Sequence, residues 1–168
     1  MKTIPRILIL LTILVSAMPA LAETWTSPDG TFSLTPPAGW TVNTKVPDSA
    51  VVAFMAPKAD PGFHSNVNVM VIPVPPEVTL KVFTDENKKS LTKQNANIRE
   101  DKAFKLGGNP GNLLVFDFTY QGTPLVSHTA YALVGNKIYQ ITGVSQPENF
   151  KKYQGAFAEI SRSLVVKK

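Results

Sequence analysis

The chain has 168 residues, 17 basic and 12 acidic side chains and no cysteine. That length suits one domain rather than two, and the missing cysteine excludes disulfides, thiolate metal sites, thiol nucleophiles and N-terminal lipidation on a Cys. The net charge of +5 is scattered, with basic pairs only at Lys88-Lys89, Lys151-Lys152 and Lys167-Lys168, so no nucleic-acid footprint is present.

The first residues follow an export pattern rather than a folding one. Lys2 and Arg6 form a short basic region, Ile7 to Ala17 is almost wholly apolar, and Ala20-Leu21-Ala22 after Pro19 is an A-x-A cleavage signature. The apolar run is too short for a membrane span, which needs about 20 residues. Residues 1–22 are therefore expected to be a cleaved signal peptide. Residues 23–168 then form a single domain, periplasmic or secreted, with no membrane span after cleavage. Removing Lys2 and Arg6 takes 17 basic side chains to 15 against 12 acidic, so the net charge falls from +5 to +3.

In chain order, Trp25-Thr26 begins a short strand and Pro28-Asp29-Gly30 turns it. Phe32 and Leu34 alternate with Ser33 and Thr35 as a half-buried strand, and Pro36 to Gly39 end it. Ala50 to Ala56 reads as a strand, and 57–65 as a loop. Asn66 to Val74 alternates, with Val67, Val69 and Val71 on one face and Asn68, Met70 and Ile72 on the other. Thr79 to Gln94 reads as a helix with Thr79 as N-cap, an apolar face of Leu80, Phe83 and Leu91 interrupted by Asn87, and an Asp85–Lys89 pair.

Ile98 to Phe104 reads as a charged edge strand, and Leu106 to Gly111 as a turn-rich link. Gly111–Tyr120, Thr123–Val134 and Lys137–Ser145 form a meander closed by Gln121-Gly122 and Gly135-Asn136. Ser145-Gln146-Pro147-Glu148 matches a capping box. Phe150, Tyr153, Phe157, Ile160 and Leu164 then recur at helical spacing. Leu114, Phe116 and Phe118 oppose Leu113 and Val115, so the meander is apolar on both faces and needs cover on both. The fold class expected is α/β (α+β): a mainly antiparallel sheet sandwiched by helices.

The ordered set Phe32-Ser33-Leu34, Pro37-Ala38-Gly39-Trp40, Ser65 to Val69, the Leu80 helix, Lys137 to Gly143 and the Phe150–Leu164 helix resembles the PsbP/Mog1 superfamily, including DUF1795 and DcrB-like bacterial proteins. The resemblance spans nearly all of 23–168. It implies an α/β/α sandwich acting as an accessory or adaptor: PsbP-like members assist photosystem II, Mog1 binds a small GTPase, and some DUF1795 members chaperone secreted effectors. These roles differ, and the shared fold does not select among them.

Chemistry-bearing residues are few. No G-x-S-x-G, H-E-x-x-H or phosphate-binding loop occurs, and Gly107 to Gly111 reads as a turn. A two-residue Gln121-Gly122 hairpin sets Tyr120 opposite Thr123 and His128 opposite Val115, with Asp117 diagonal on the same face. Across the next hairpin His128 meets Gly143, which leaves room beside the imidazole. The pair could share a metal, or be a hydrogen-bonded polar pair.

Asp60 and His64 form a second such pair in a loop, open to zinc or manganese or to solvent. Trp40, Tyr120, Tyr131 and Tyr139 either line a binding groove or fill the core. The function expected is a non-catalytic exported binding, adaptor or assembly-accessory protein of the bacterial envelope, whose partner is another envelope protein and which carries no cofactor. The alternative is a periplasmic metal- or small-ligand-binding protein using those His and Asp side chains. No enzyme activity is expected.

Overall fold

The computed structural model describes residues 22–47 and 49–167. The signal-peptide expectation falls on residues 1–22 and so lies outside the described residues except at Ala22. Ten strands and two helices follow in order: β1 Trp25–Thr26, β2 Phe32–Leu34, β3 Thr41–Asn43, β4 Val52–Met55, β5 Asn66–Pro73, α1 Leu80–Lys93, β6 Asn97–Leu106, β7 Asn109–Tyr120, β8 Thr123–Val134, β9 Lys137–Ser145, α2 Pro147–Arg162 and β10 Val165–Val166.

The large sheet has seven strands in the order β3-β4-β5-β9-β8-β7-β6, all antiparallel. The β7–β8–β9 meander has the expected register: Tyr120 pairs with Thr123, Val115 with His128, and His128 with Gly143. The first turn places Gln121 at φ 49° and Gly122 at φ 81°, the double left-handed geometry of a tight hairpin. The Leu106–Gly111 link is a hairpin as well, with Leu106 paired to Asn109 around Gly107 and Gly108.

The sheet is apolar on both sides, as its strands demand, and each side has its own core. One core gathers Val52, Phe54, Val67, Val69, Leu113, Val115, Ala130 and Ile141 beneath Tyr153, Phe157 and Ile160 of α2. The other gathers Leu114, Phe116, Tyr131 and Ile138 beneath Leu80, Phe83 and Leu91 of α1. Burying an α2 side chain of this size is worth about 1.5–3 kcal/mol before entropy, so the apolar stripe is enough to hold the helix down.

Three local expectations are corrected. The capping box does not form: Ser145 is the last residue of β9, paired to Val126, so the helix starts one residue later, with Gln146 at the N-cap and no side-chain cap. Ladder pairing and the Pro147 ring, which suits the first helical turn, override the local motif. Asp85 pairs with Lys81 at 2.6 Å and Lys88 at 3.0 Å, while Lys89 pairs with Glu86 at 2.6 Å; the tertiary position of Asp101, 2.8 Å from Lys88, draws that lysine inward.

The third concerns the cover. A second, three-stranded sheet in the order β1-β2-β10 closes the α2 side, where helices and long loops were expected. The chain leaves α2 at Ser163, whose Oγ accepts from Thr35 N at 2.9 Å, and adds β10 to β2. Phe32 and Leu34 on β2 thereby enter the same core as Phe157.

Candidate functional site

α1 packs chiefly on β6, β7 and β8, with Ile138 of β9 and Ile72 of β5 at the border of its core, and less on the other half of that sheet face. That other half is built by the polar positions of alternating strands. On β5 the valines turn toward α2, which leaves Asn66, Asn68 and Met70 on the opposite face. Register places Asn68 between Ala53 and Thr142, with Asn43 beyond Ala53, and Met70 beside Gln140.

The result is a half-buried surface of short amides and hydroxyls, already ordered by its own bonds. Asn68 Nδ2 donates to Asn66 Oδ1 at 2.8 Å, and Asn66 Nδ2 to the His64 carbonyl at 2.8 Å. Gln140 Nε2 donates to Thr142 Oγ1 at 3.3 Å. Strand-held side chains keep little rotamer freedom to lose on contact, which favours recognition. Beside this face lies β3, an edge strand with unpaired backbone groups of the kind that add further strands, and its Val42 is exposed.

The opposite side of the molecule holds a cavity of about 340 Å³ between α2 and the β6–β8 end of the sheet, with His128 on its wall. His128 is 5 % exposed, and its Nδ1 is enclosed with no hydrogen-bond partner. Burial pushes the imidazole down to about 4, with the Glu100 carboxylate opposing that shift, so the ring is neutral at ordinary pH.

The expected Asp117 partner is elsewhere engaged. Between Ile98 and Glu100 the β6–β7 register shifts, leaving Arg99 as an extra residue. Its guanidinium ion-pairs with Asp117, with Nε at 2.7 Å, and Asn97 Nδ2 also donates to Asp117 at 3.1 Å. Register alone set Asp117 diagonal to His128; the bulge supplies it with a cation instead. The room expected beside the imidazole at Gly143 is also filled, because the Phe157 ring lies directly over that glycine.

Asp60 and His64 are likewise committed to the protein. His64 Nε2 hydrogen-bonds the Ala56 carbonyl at 2.7 Å, and Asp60 accepts from Ser65 Oγ at 3.2 Å and Lys152 Nζ at 3.4 Å. Among the described residues no three His, Cys, Asp or Glu side chains converge.

The four aromatic groove candidates do not gather either. Trp40 packs edge-on against Tyr153 and Phe157, Tyr131 against Phe83 in the other core, and Tyr139 against Phe32. Burial raises the hydroxyl pKa of both Tyr131 and Tyr139. Tyr120 stands exposed at the β7–β8 turn. Three of the four are structural because both faces of the sheet are covered where they sit.

The residues that do form surfaces were absent from the sequence-based candidates: Asn66, Asn68, Gln140 and Thr142 on one side, Phe104 and Arg162 on the other. The readable signal was a central strand keeping amides opposite its valines, and a glycine, Gly155, in the middle of an amphipathic helix.

No family model matches the chain, and no curated protein does. Solved structures do match. The chain is similar to cyanobacterial PsbP from Synechocystis sp. PCC 6803, with a TM-score of 0.67 at 14% identity over 92% of this chain and 99% of that one. It is similar to PA94 from Pseudomonas aeruginosa, a protein of unknown function and putative regulator, with a TM-score of 0.63 at 12% identity over 88% and 98%. It is similar to LpqN, involved in cell envelope biogenesis of Mycobacterium tuberculosis, with a TM-score of 0.64 at 11% identity over 88% and 91%. The expected PsbP/Mog1-type α+β fold is the fold observed. Among the described residues no helix is long and apolar enough to cross a membrane.

Proposed function

We propose that this chain with the PsbP-type fold is an exported, non-catalytic binding module of the bacterial envelope, which engages another envelope protein through the open half of its large sheet. The observation that carries the reading is the asymmetry of cover: α2 and the small sheet close one face, while α1 covers chiefly the β6–β8 end of the other. What remains open is lined by ordered hydrogen-bonding side chains from β5 and β9. An ordered sheet surface of this kind suits a macromolecular partner, whereas small molecules prefer enclosed concave sites.

An envelope setting is supported by the export pattern of residues 1–22 and is in keeping with the described role of LpqN. A non-catalytic role is supported at the buried His128, which stays neutral while Asp117, the acid expected beside it, is bound to Arg99. General acid–base work needs a positioned partner for the titrating group.

The test is photo-crosslinking in cells from a reactive residue placed at Asn68 or Thr142, with Val82 on the exposed side of α1 as the control position. Discrete adducts from the first two and none from the third are expected. Adducts equally strong from Val82, or none from either sheet position, would overturn the assignment of this face.

A further inference from the structure

The cavity beneath α2 has three kinds of lining. Phe104, Leu113, Val115 and Phe150 make apolar walls, His128 closes the interior, and Glu100, Lys102 and Arg162 stand at the mouth. Lys102 Nζ lies 2.5 Å from Glu100, so those two charges cancel. Arg162 pairs with no carboxylate among the described residues; its guanidinium lies 5.1 Å from the centre of the Phe104 ring. Two cations against one carboxylate leave the mouth with a net charge of +1.

An arginine stacked on an aromatic ring has its plane fixed while its N–H fork stays free, and that fork matches a carboxylate in two parallel hydrogen bonds. On the cavity wall His128 is 5% exposed, and its Nδ1 is enclosed with no hydrogen-bond partner within the described residues. Buried polar groups in folded proteins are almost always satisfied, so the unpartnered Nδ1 of a residue on the cavity wall leaves a place for an outside group to complete the set. The volume of about 340 Å³ lies at the small end of ligand pockets.

We propose that this cavity is a binding site for a small organic carboxylate, with the anionic group on Arg162, an apolar body against Phe104, Val115 and Phe150, and a hydrogen-bonding substituent directed at His128. The site is separate from the open sheet face, which lies on the other side of the large sheet, so crosslinking from Asn68 and ligand binding here report independently.

Three probe acids, 4-hydroxyphenylacetate, 4-hydroxybenzoate and 5-hydroxypentanoate, are titrated into the ¹⁵N-labelled protein, alongside 4-hydroxyphenylacetamide and tyramine as neutral and cationic counterparts. At least one acid is expected to shift the amide resonances of Val115, Gly155, Ala158 and Arg162 as a group, at least tenfold more tightly than either counterpart. Arg162→Gln is expected to weaken that acid at least tenfold with an otherwise unchanged spectrum. Gly155→Leu, whose side chain enters space with no atom within 4 Å of its Cβ, fills the cavity and abolishes the shifts without disturbing the fold. Failure of all three acids, equal binding of the amide or the amine, or full binding by Arg162→Gln would each overturn the proposal.

Discussion

Replacing Gly143 by alanine tests how tightly α2 is seated on the sheet. Gly143 pairs with His128 on one side and Val67 on the other, at the centre of the seven strands. A Cβ built there would lie 2.6 Å from both Cδ1 and Cδ2 of Phe157, inside the 3.0 Å limit below which something must shift. Phe157 has little freedom to yield, since it is fully buried and ringed by Trp40, His128, Phe150 and Tyr153. Overpacking of this sort costs about 1–3 kcal/mol. Several ring atoms inside that limit place the cost toward the upper end of the range, about 2–3 kcal/mol, and alanine recovers about 0.5–1 kcal/mol over glycine within a strand, so the net loss is about 1–2 kcal/mol.

With a urea m-value of about 2 kcal/mol/M, the midpoint falls by about 0.5–1 M and the slope stays constant. Phe157→Leu in the same chain removes the ring that the new methyl strikes, so the double variant is more stable than the two single losses predict by about 1 kcal/mol. An unchanged midpoint in Gly143→Ala, or single losses that add within about 0.5 kcal/mol, would refute the reasoning.

Other consequences follow from the same geometry. Gly155→Ala meets open space on α2 and is expected to raise stability by about 0.5–1 kcal/mol, read as a higher urea midpoint. His128, lowered to about 4 by burial, has a folded value below its unfolded one. The unfolded chain therefore takes up the proton first, and the associated stability is complete above about pH 6.5 and lost as pH falls toward 4, on the order of 3 kcal/mol in all. His128→Gln is expected to flatten the stability profile in that window; a profile of equal slope in both proteins counts against the buried neutral imidazole. Zinc or manganese at 100-fold excess over the Kd of a true site would add about 2.7 kcal/mol. No rise in melting temperature is expected, because His64 and Asp60 already bond Ala56, Ser65 and Lys152; a rise abolished by His64→Ala would restore the metal reading.

Much of the fold was legible in the chain because it rests on short-range regularities. The period-two alternation of β5 and the two-residue turn at Gln121-Gly122 set which residues oppose one another, down to Val115 against His128. The spacing from Phe150 to Leu164 marked the helix that closes the core. Alternation also said that one side of β5 must carry amides, though not that this side would stay open.

What only the tertiary structure decided lies between elements distant in sequence. The extra residue Arg99 claims Asp117 from His128, β10 joins β2 to cover a core expected to be closed by helices and long loops, and the expected Asp85–Lys89 pair gives way to Lys88 bridging Asp85 and Asp101 and Lys89 pairing with Glu86. Local periodicity specifies the face a side chain occupies. It does not specify which neighbour reaches that side chain first, since bulges, strand order and helix length set those distances only once the whole sheet has formed. Thus the meander strands, their register and the buried helix face belong to the sequence, whereas the open polar face and the arginine-mouthed cavity exist only because α1 and α2 each cover less than the full width of seven strands.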